Sequence, residues 1–118
     1  MQAMGFDVVC YNHHSVPQNC RAFVSDTPFY KASEGVDANR IAITVDCADR
    51  TRLGDILNEA YPEVFLNVDH HISNTQYGQL HLIDPTCASA TEVLYNWFMQ
   101  VPIMREKMTP DIATLLLT

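Results

Sequence analysis

Apolar and polar positions alternate along the chain in blocks, and the blocks predict an ordered series of short strands and helices. Phe6–Tyr11 (FDVVCY) is a short apolar run rich in β-branched residues and predicts a buried strand. Residues 12–40 hold most of the turn formers, including Pro17, Pro28 and Gly35, and predict loops with one short helix near Gln18–Val24. Ile41–Val45 (IAITV) predicts a second buried strand that ends at Asp46. Arg50–Tyr61 then places Leu53, Ile56, Leu57 and Ala60 at helical spacing, and Pro62 closes that helix. Val64–Val68 predicts a third strand ending at Asp69, and Gln79–Ile83 a fourth, stopped by Asp84-Pro85.

The second half is more helical. Ala88–Val101 sets Ala90, Val93, Leu94, Trp97 and Phe98 on one stripe, with Ser89 and Thr91 near its start as candidate caps. Thr109-Pro110-Asp111 opens a last helix: Thr at the cap, Pro at the first helical position, an acid in the first turn. Strand–helix alternation, with strands apolar on both faces, predicts an α/β fold: one domain with a parallel sheet flanked by helices. In such a sheet right-handed crossovers bring the C-terminal ends of the strands to one edge, where ligands bind. Asp46 and Asp69 both fall at such an end. Both termini read as cut. Met1–Met4 leads into a strand through Gly5 as the end of a helix does, and the last helix carries neither Gly nor a basic last turn.

Composition narrows the function classes. The chain has 118 residues, 47% of them apolar, which is enough for a core and too apolar for disorder. No apolar run is long enough for a membrane helix, and no start resembles a signal peptide, so the expected partners include no membrane. With 14 acidic residues against 7 Lys plus Arg, the net charge of −7 argues against gripping nucleic acid by broad phosphate neutralisation. It suits carboxylates gathered around divalent cations. Cys10, Cys20, Cys47 and Cys87 form no CxxC pair and read as reduced thiols of a cytoplasmic protein.

The chemistry concentrates at two strand ends. A carboxylate where a buried strand emerges, as at Asp46 in VDCAD, is costly unless a cation compensates it. The alternative is a capping role, which Asp49 fits better. Asp69-His70-His71 follows LNV and precedes the turn-rich ISNTQYG. Carboxylate oxygen with imidazole nitrogen suits Mn²⁺, Fe²⁺, Co²⁺ or Zn²⁺. One imidazole can bind metal while the other holds a phosphate oxygen or relays a proton, with the Asp orienting a ring. His13-His14, in a polar loop, reads as solvated.

VDCAD, then NVDHHISN, then an Asp-Pro followed by ASATEVLY, resembles the DHH phosphoesterase superfamily, nearest to its oligoribonuclease and 3′-phosphoadenosine-5′-phosphate phosphatase branch, with cyclic-dinucleotide phosphodiesterases as kin. The resemblance runs from Gly5 onward. It implies a two-metal, usually manganese-dependent, hydrolase of short nucleotides or oligonucleotides; a homodimer of the parent protein is a separate expectation that the sequence does not decide. It implies that Asp46 bridges the metals, that His70 binds one, and that Asp69 ligates and orients the cluster. His71 contacts the scissile phosphate, Asn74 gives polar support, and Ser89 and Thr91 open a helix close to the substrate. Ser89 and Thr91 serve equally well as plain caps. Two elements of the family pattern are missing: a first motif of one His and two Asp, expected before Met1, and a TDTG-like segment, expected after Thr118. The substrate-binding domain that follows in the family is missing too, so the chain is expected to be a partial catalytic domain. The competing readings are a family II-type inorganic pyrophosphatase, which shares DHH, and a catalytically silent metal- or nucleotide-binding module. A structural zinc protein is weaker, because the Cys and His spacings fit no closed tetrahedral site.

Overall fold

A computed structural model of the chain describes residues 1–24 and 27–117. Its centre is a three-stranded, all-parallel sheet of β3 (Ile43–Val45), β4 (Val64–Asp69) and β5 (Gly78–Ile83), in the order β3-β4-β5. Leu66 pairs with Ile43 on one side and Leu80 on the other. A second, two-stranded parallel sheet joins β1 (Cys10–Asn12) to β2 (Phe29–Lys31), with α1 (Arg21–Val24) between them in sequence. The helices α2 (Asp55–Ala60), α3 (Ala90–Gln100), α4 (Pro102–Glu106) and α5 (Pro110–Leu117) complete the fold. The α/β class with parallel sheets flanked by helices is as expected.

The central strand is the most buried element. Val64 and Val68 are buried, as are the polar Asn67 and Asp69. Alternation along a strand sends Leu66 and Val68 to one face and Asn67 and Asp69 to the other. On the first face Val68 packs with Cys87 and Val93, joined by Leu66, Leu82 and Leu94, so α3 seals that side. The opposite face is covered by the segment 70–77, which returns from the end of β4 to the start of β5 without a helix. That return is tight. A Cβ on Gly78 would stand 2.8 Å from the Leu80 carbonyl and 3.0 Å from the Asn67 backbone nitrogen, so only glycine lets β5 begin there.

Several expectations are corrected. Residues 6–9 form no strand: Gly5 turns with a left-handed φ of 84°, Phe6 is exposed, and the ladder begins only at Cys10, in the smaller sheet. The partner strand β2 had no sequence signal, being three residues long with two of them exposed. β3 is not covered on both faces, since Ile43 and Val45 are partly open to solvent. The expected helix over Arg50–Tyr61 is two pieces, a 3₁₀ turn at Arg50–Leu53 and then α2, because Gly54 interrupts it at φ 76°. Arg50 binds the pieces together. Its guanidinium donates to Asn58 Oδ1 at 2.9 Å and to the carbonyls of Pro62 and Tyr61, satisfying acceptors at the end of α2. Asp49 is the cap its position suggested, accepting from the Thr51 N–H at 2.8 Å. Its hydrogen bonds from Thr51 hold the carboxyl below the usual carboxylate range. At the other end, Val101 breaks the α3 helix, α4 was not anticipated, and Thr109 caps α5 through the Ile112 N–H at 3.2 Å.

Candidate metal centre

The C-terminal ends of β3 and β4 are neighbours in the sheet, so the residues that leave them meet at one edge. Asp46 leaves β3 in a left-handed turn, φ 57°, while its own N–H still donates to the Val68 carbonyl at 3.0 Å. Asp tolerates this region better than most residues, and the turn swings its carboxylate toward β4. There it meets Asp69, His70 and His71, whose ligand atoms all lie within 4.8 Å of one another and of Asp46.

Asp69 organises this group. It is fully buried, and burial alone would raise its pKa. Hydrogen bonds from His71, Asn74 and the His70 backbone outweigh burial and leave the carboxyl below its ordinary value. Oδ1 accepts from the His70 N–H at 2.8 Å and pairs with His71 Nδ1 at 2.7 Å, while Oδ2 accepts from Asn74 Nδ2 at 2.5 Å. Asn74 therefore joins the site through Asp69.

The two imidazoles are oriented from behind. His71 Nδ1 faces the buried carboxylate, so it carries the proton and leaves Nε2 with a lone pair. His70 Nδ1 faces the Cys87 carbonyl at 3.3 Å, which likewise leaves Nε2 bare. That Nε2 lies 3.5 Å from Asp46 Oδ1. A lone pair facing a carboxylate oxygen is repulsive unless a proton or a cation sits with them. The donor set therefore fits a divalent ion held by Asp46 and His70, with the Cys87 carbonyl behind the ring fixing its tautomer as such acceptors do for metal-binding histidines.

Ser89 and Thr91 are placed differently. Ser89 caps α3, accepting from the Glu92 N–H at 3.2 Å, and its hydroxyl lies 2.8 Å from that of Thr91. Among the described residues neither hydroxyl bonds to Asp46, Asp69, His70 or His71. Among the described residues, the hydrogen bond that links this region to the cluster's side chains comes from the Cys87 carbonyl, just upstream of the cap.

A comparison with protein families matches residues 3–118 to the DHH family, N-terminal domain. The chain belongs to the DHH family. Among curated proteins it is similar to a bifunctional oligoribonuclease and PAP phosphatase of Thermus thermophilus, with 24% identity over 102 residues. That match covers 86% of this chain and 30% of the relative's length. The DHH signature of this member is Asp69-His70-His71, set at the end of the buried central strand.

Sequence reasoning missed the layer beneath this DHH cluster. Asn67, buried on the same face as Asp69, donates from Nδ2 to Thr44 Oγ1 at 3.0 Å and to the Cys47 carbonyl at 3.2 Å. The Tyr77 hydroxyl lies 2.9 Å from Thr44 Oγ1 and 3.1 Å from the same carbonyl. Burial, chiefly, pushes the Tyr77 pKa far up, so it stays a neutral donor. The Cys47 peptide directly follows Asp46, so this network braces the left-handed turn that aims the carboxylate. The available signal was Tyr77-Gly78, an aromatic just before a glycine that lets two strands close up. Tyr77→Phe is expected to destabilise the fold by about 1–2 kcal/mol, the usual cost of a lost buried hydroxyl bond. It should also weaken divalent-ion binding several-fold, read by a thermal melt with and without Mn²⁺.

Proposed function

We propose that this chain is the metal-binding catalytic portion of a Mn²⁺-dependent phosphoesterase. Its substrates are short oligonucleotides, cyclic-dinucleotide products or 3′-phosphoadenosine-5′-phosphate. The observation that carries the reading is the convergence of Asp46, Asp69, His70 and His71 at one sheet edge. Family membership and the activities in the name of the Thermus relative support the substrate class. Carboxylates mixed with imidazole suit Mn²⁺ among the divalent ions such a set accepts.

Asp46 and His70 would hold the ion, and Asp46, the most solvent-open carboxylate of the group, would be the one shared if two ions bind. Asp69 belongs to the same cluster, and its three hydrogen bonds make orientation its main task. A divalent pair held there would supply Lewis acidity at phosphorus and a water of lowered pKa. His71, fixed by Asp69 through Nδ1, turns Nε2 toward the substrate, and with a second proton on Nε2 it would donate to a phosphoryl oxygen, the buried Asp69 carboxylate balancing the charge. Asn74 keeps Asp69 ionised and in place.

Four side chains are few for a two-metal site, so further donors would come from sequence beyond these 118 residues. The test is an assay of apoprotein reloaded with Mn²⁺ on a dinucleotide, on 3′-phosphoadenosine-5′-phosphate and on inorganic pyrophosphate. It is run on this chain and on a version lengthened at both ends. Cleavage of the nucleotides by the longer chain, far above this chain and above pyrophosphate turnover, is expected. Equal rates for the two chains, or a preference for pyrophosphate, would contradict the reading.

A further inference from the structure

The smaller sheet carries a second candidate site, built from residues that the DHH cluster does not use. A cavity of about 210 Å³ is lined by His14, Arg21, Phe29, Lys31 and Glu34, among others. Beside it lies a larger cleft of about 580 Å³, lined by Val16, Pro17, Val24, Phe29 and Leu115 together with the amides of Asn12 and Asn19. His14, Val16 and Phe29 line both, so the two spaces adjoin, and the larger falls within the range of natural ligand pockets, roughly 300–1,000 Å³.

The two halves differ in chemistry. This chain carries 7 Lys plus Arg against 14 acids, yet Arg21 and Lys31 both line the smaller cavity. Among the described residues neither is paired with a carboxylate, whereas Arg40 is held by both Asp7 and Asp37. The acid in the lining, Glu34, turns a carboxylate oxygen to the Lys31 backbone N–H at 3.2 Å. The larger cleft is mainly apolar, and its lining includes the side-chain amides of Asn12 and Asn19. Alternation along β2 puts Phe29 and Lys31 on the same side, so a ring and a cation stand next to each other at the junction.

We propose that this double pocket binds a nucleoside monophosphate: the phosphate in the smaller cavity on Arg21 and Lys31, the base in the larger cleft against Phe29. A phosphate is held best by two or more cationic donors and a base by a flat apolar wall with amides beside it, and the two adjoining spaces supply both sets. The pocket is separate from the DHH cluster and does not depend on its metal.

The test is calorimetric titration of the 118-residue chain with adenosine 5′-monophosphate in the presence of a chelator, so that the metal cluster is out of play. Adenosine and inorganic phosphate are titrated in parallel. The expected result is that the monophosphate binds more tightly than either fragment. Arg21→Gln and Lys31→Gln should each weaken it about ten-fold, the usual effect of one charge-assisted contact, and leave adenosine unchanged. His71→Ala should leave all three unchanged. Both glutamine variants alter exposed or half-exposed side chains, and a melt confirms that they fold. Binding no tighter than adenosine, unaltered affinity in the Arg21 and Lys31 variants, or loss in the His71 variant would overturn the proposal.

Discussion

Asp46→Asn is expected to remove most of the divalent-ion affinity, by about 100-fold or more, and with it the hydrolysis proposed for the lengthened chain, while leaving the melting temperature of the apoprotein nearly unchanged. The reason is local. Asn accepts the left-handed backbone at φ 57° as well as Asp does, so the turn after β3 survives. The negative charge facing His70 Nε2 at 3.5 Å does not. Replacing the most exposed carboxylate of the cluster thus separates binding from folding. Asp46→Ala mixes the two effects and is the wrong probe. If Asp46→Asn bound Mn²⁺ like the parent chain, Asp46 would be a turn residue and nothing more.

Asp69→Asn is expected to act by another route and to damage the fold as well. Asp69 is fully buried and takes three hydrogen bonds, from the His70 N–H, His71 and Asn74. An amide in its place presents an NH₂ to donors that were already donating, so at least one becomes unpaired in the interior, costing about 1–3 kcal/mol. The amide costs least with its oxygen kept toward the His70 N–H and His71, so Asn74 is the partner displaced, and the His71 ring keeps an acceptor but loses the negative charge behind it. A fall of roughly 10–100-fold in the kcat of the lengthened chain, the usual cost of losing a group that orients metal ligands, is expected together with a lowered Tm, whereas Asp46→Asn leaves Tm nearly untouched. Measuring Tm and kcat for both variants distinguishes a carboxylate that binds from one that braces.

Much of the site was legible because it lies in consecutive residues at strand ends. VDCAD and NVDHH each attach their acids to an apolar β-branched run, and parallel pairing of β3 and β4 then carries Asp46 to Asp69 without further information. Asn74 was legible as polar support, though its route through Asp69 was not. What was illegible is either very short or built from partners far apart along the chain. β1 and β2 are three residues each and pair across a loop, so no alternation marks them. Thr44, Cys47, Asn67 and Tyr77 come from three separate segments and meet only once the segment 70–77 folds back over the sheet. The left-handed turn at Asp46 leaves no mark in composition either. The helix read through Arg50–Tyr61 is a different failure, since Gly54 stood in plain view and hydrophobic spacing on both sides of it suggested continuity.

The most direct measurement is pulsed electron paramagnetic resonance of Mn²⁺ bound to the chain, which detects an imidazole nitrogen coupled to the ion. The parent chain should show one such coupling. His70→Ala should abolish it and weaken binding, because His70 Nε2 faces Asp46. His71→Ala should preserve it, because His71 is committed to Asp69. A coupling that survives His70→Ala and disappears in His71→Ala would contradict this assignment of the metal centre.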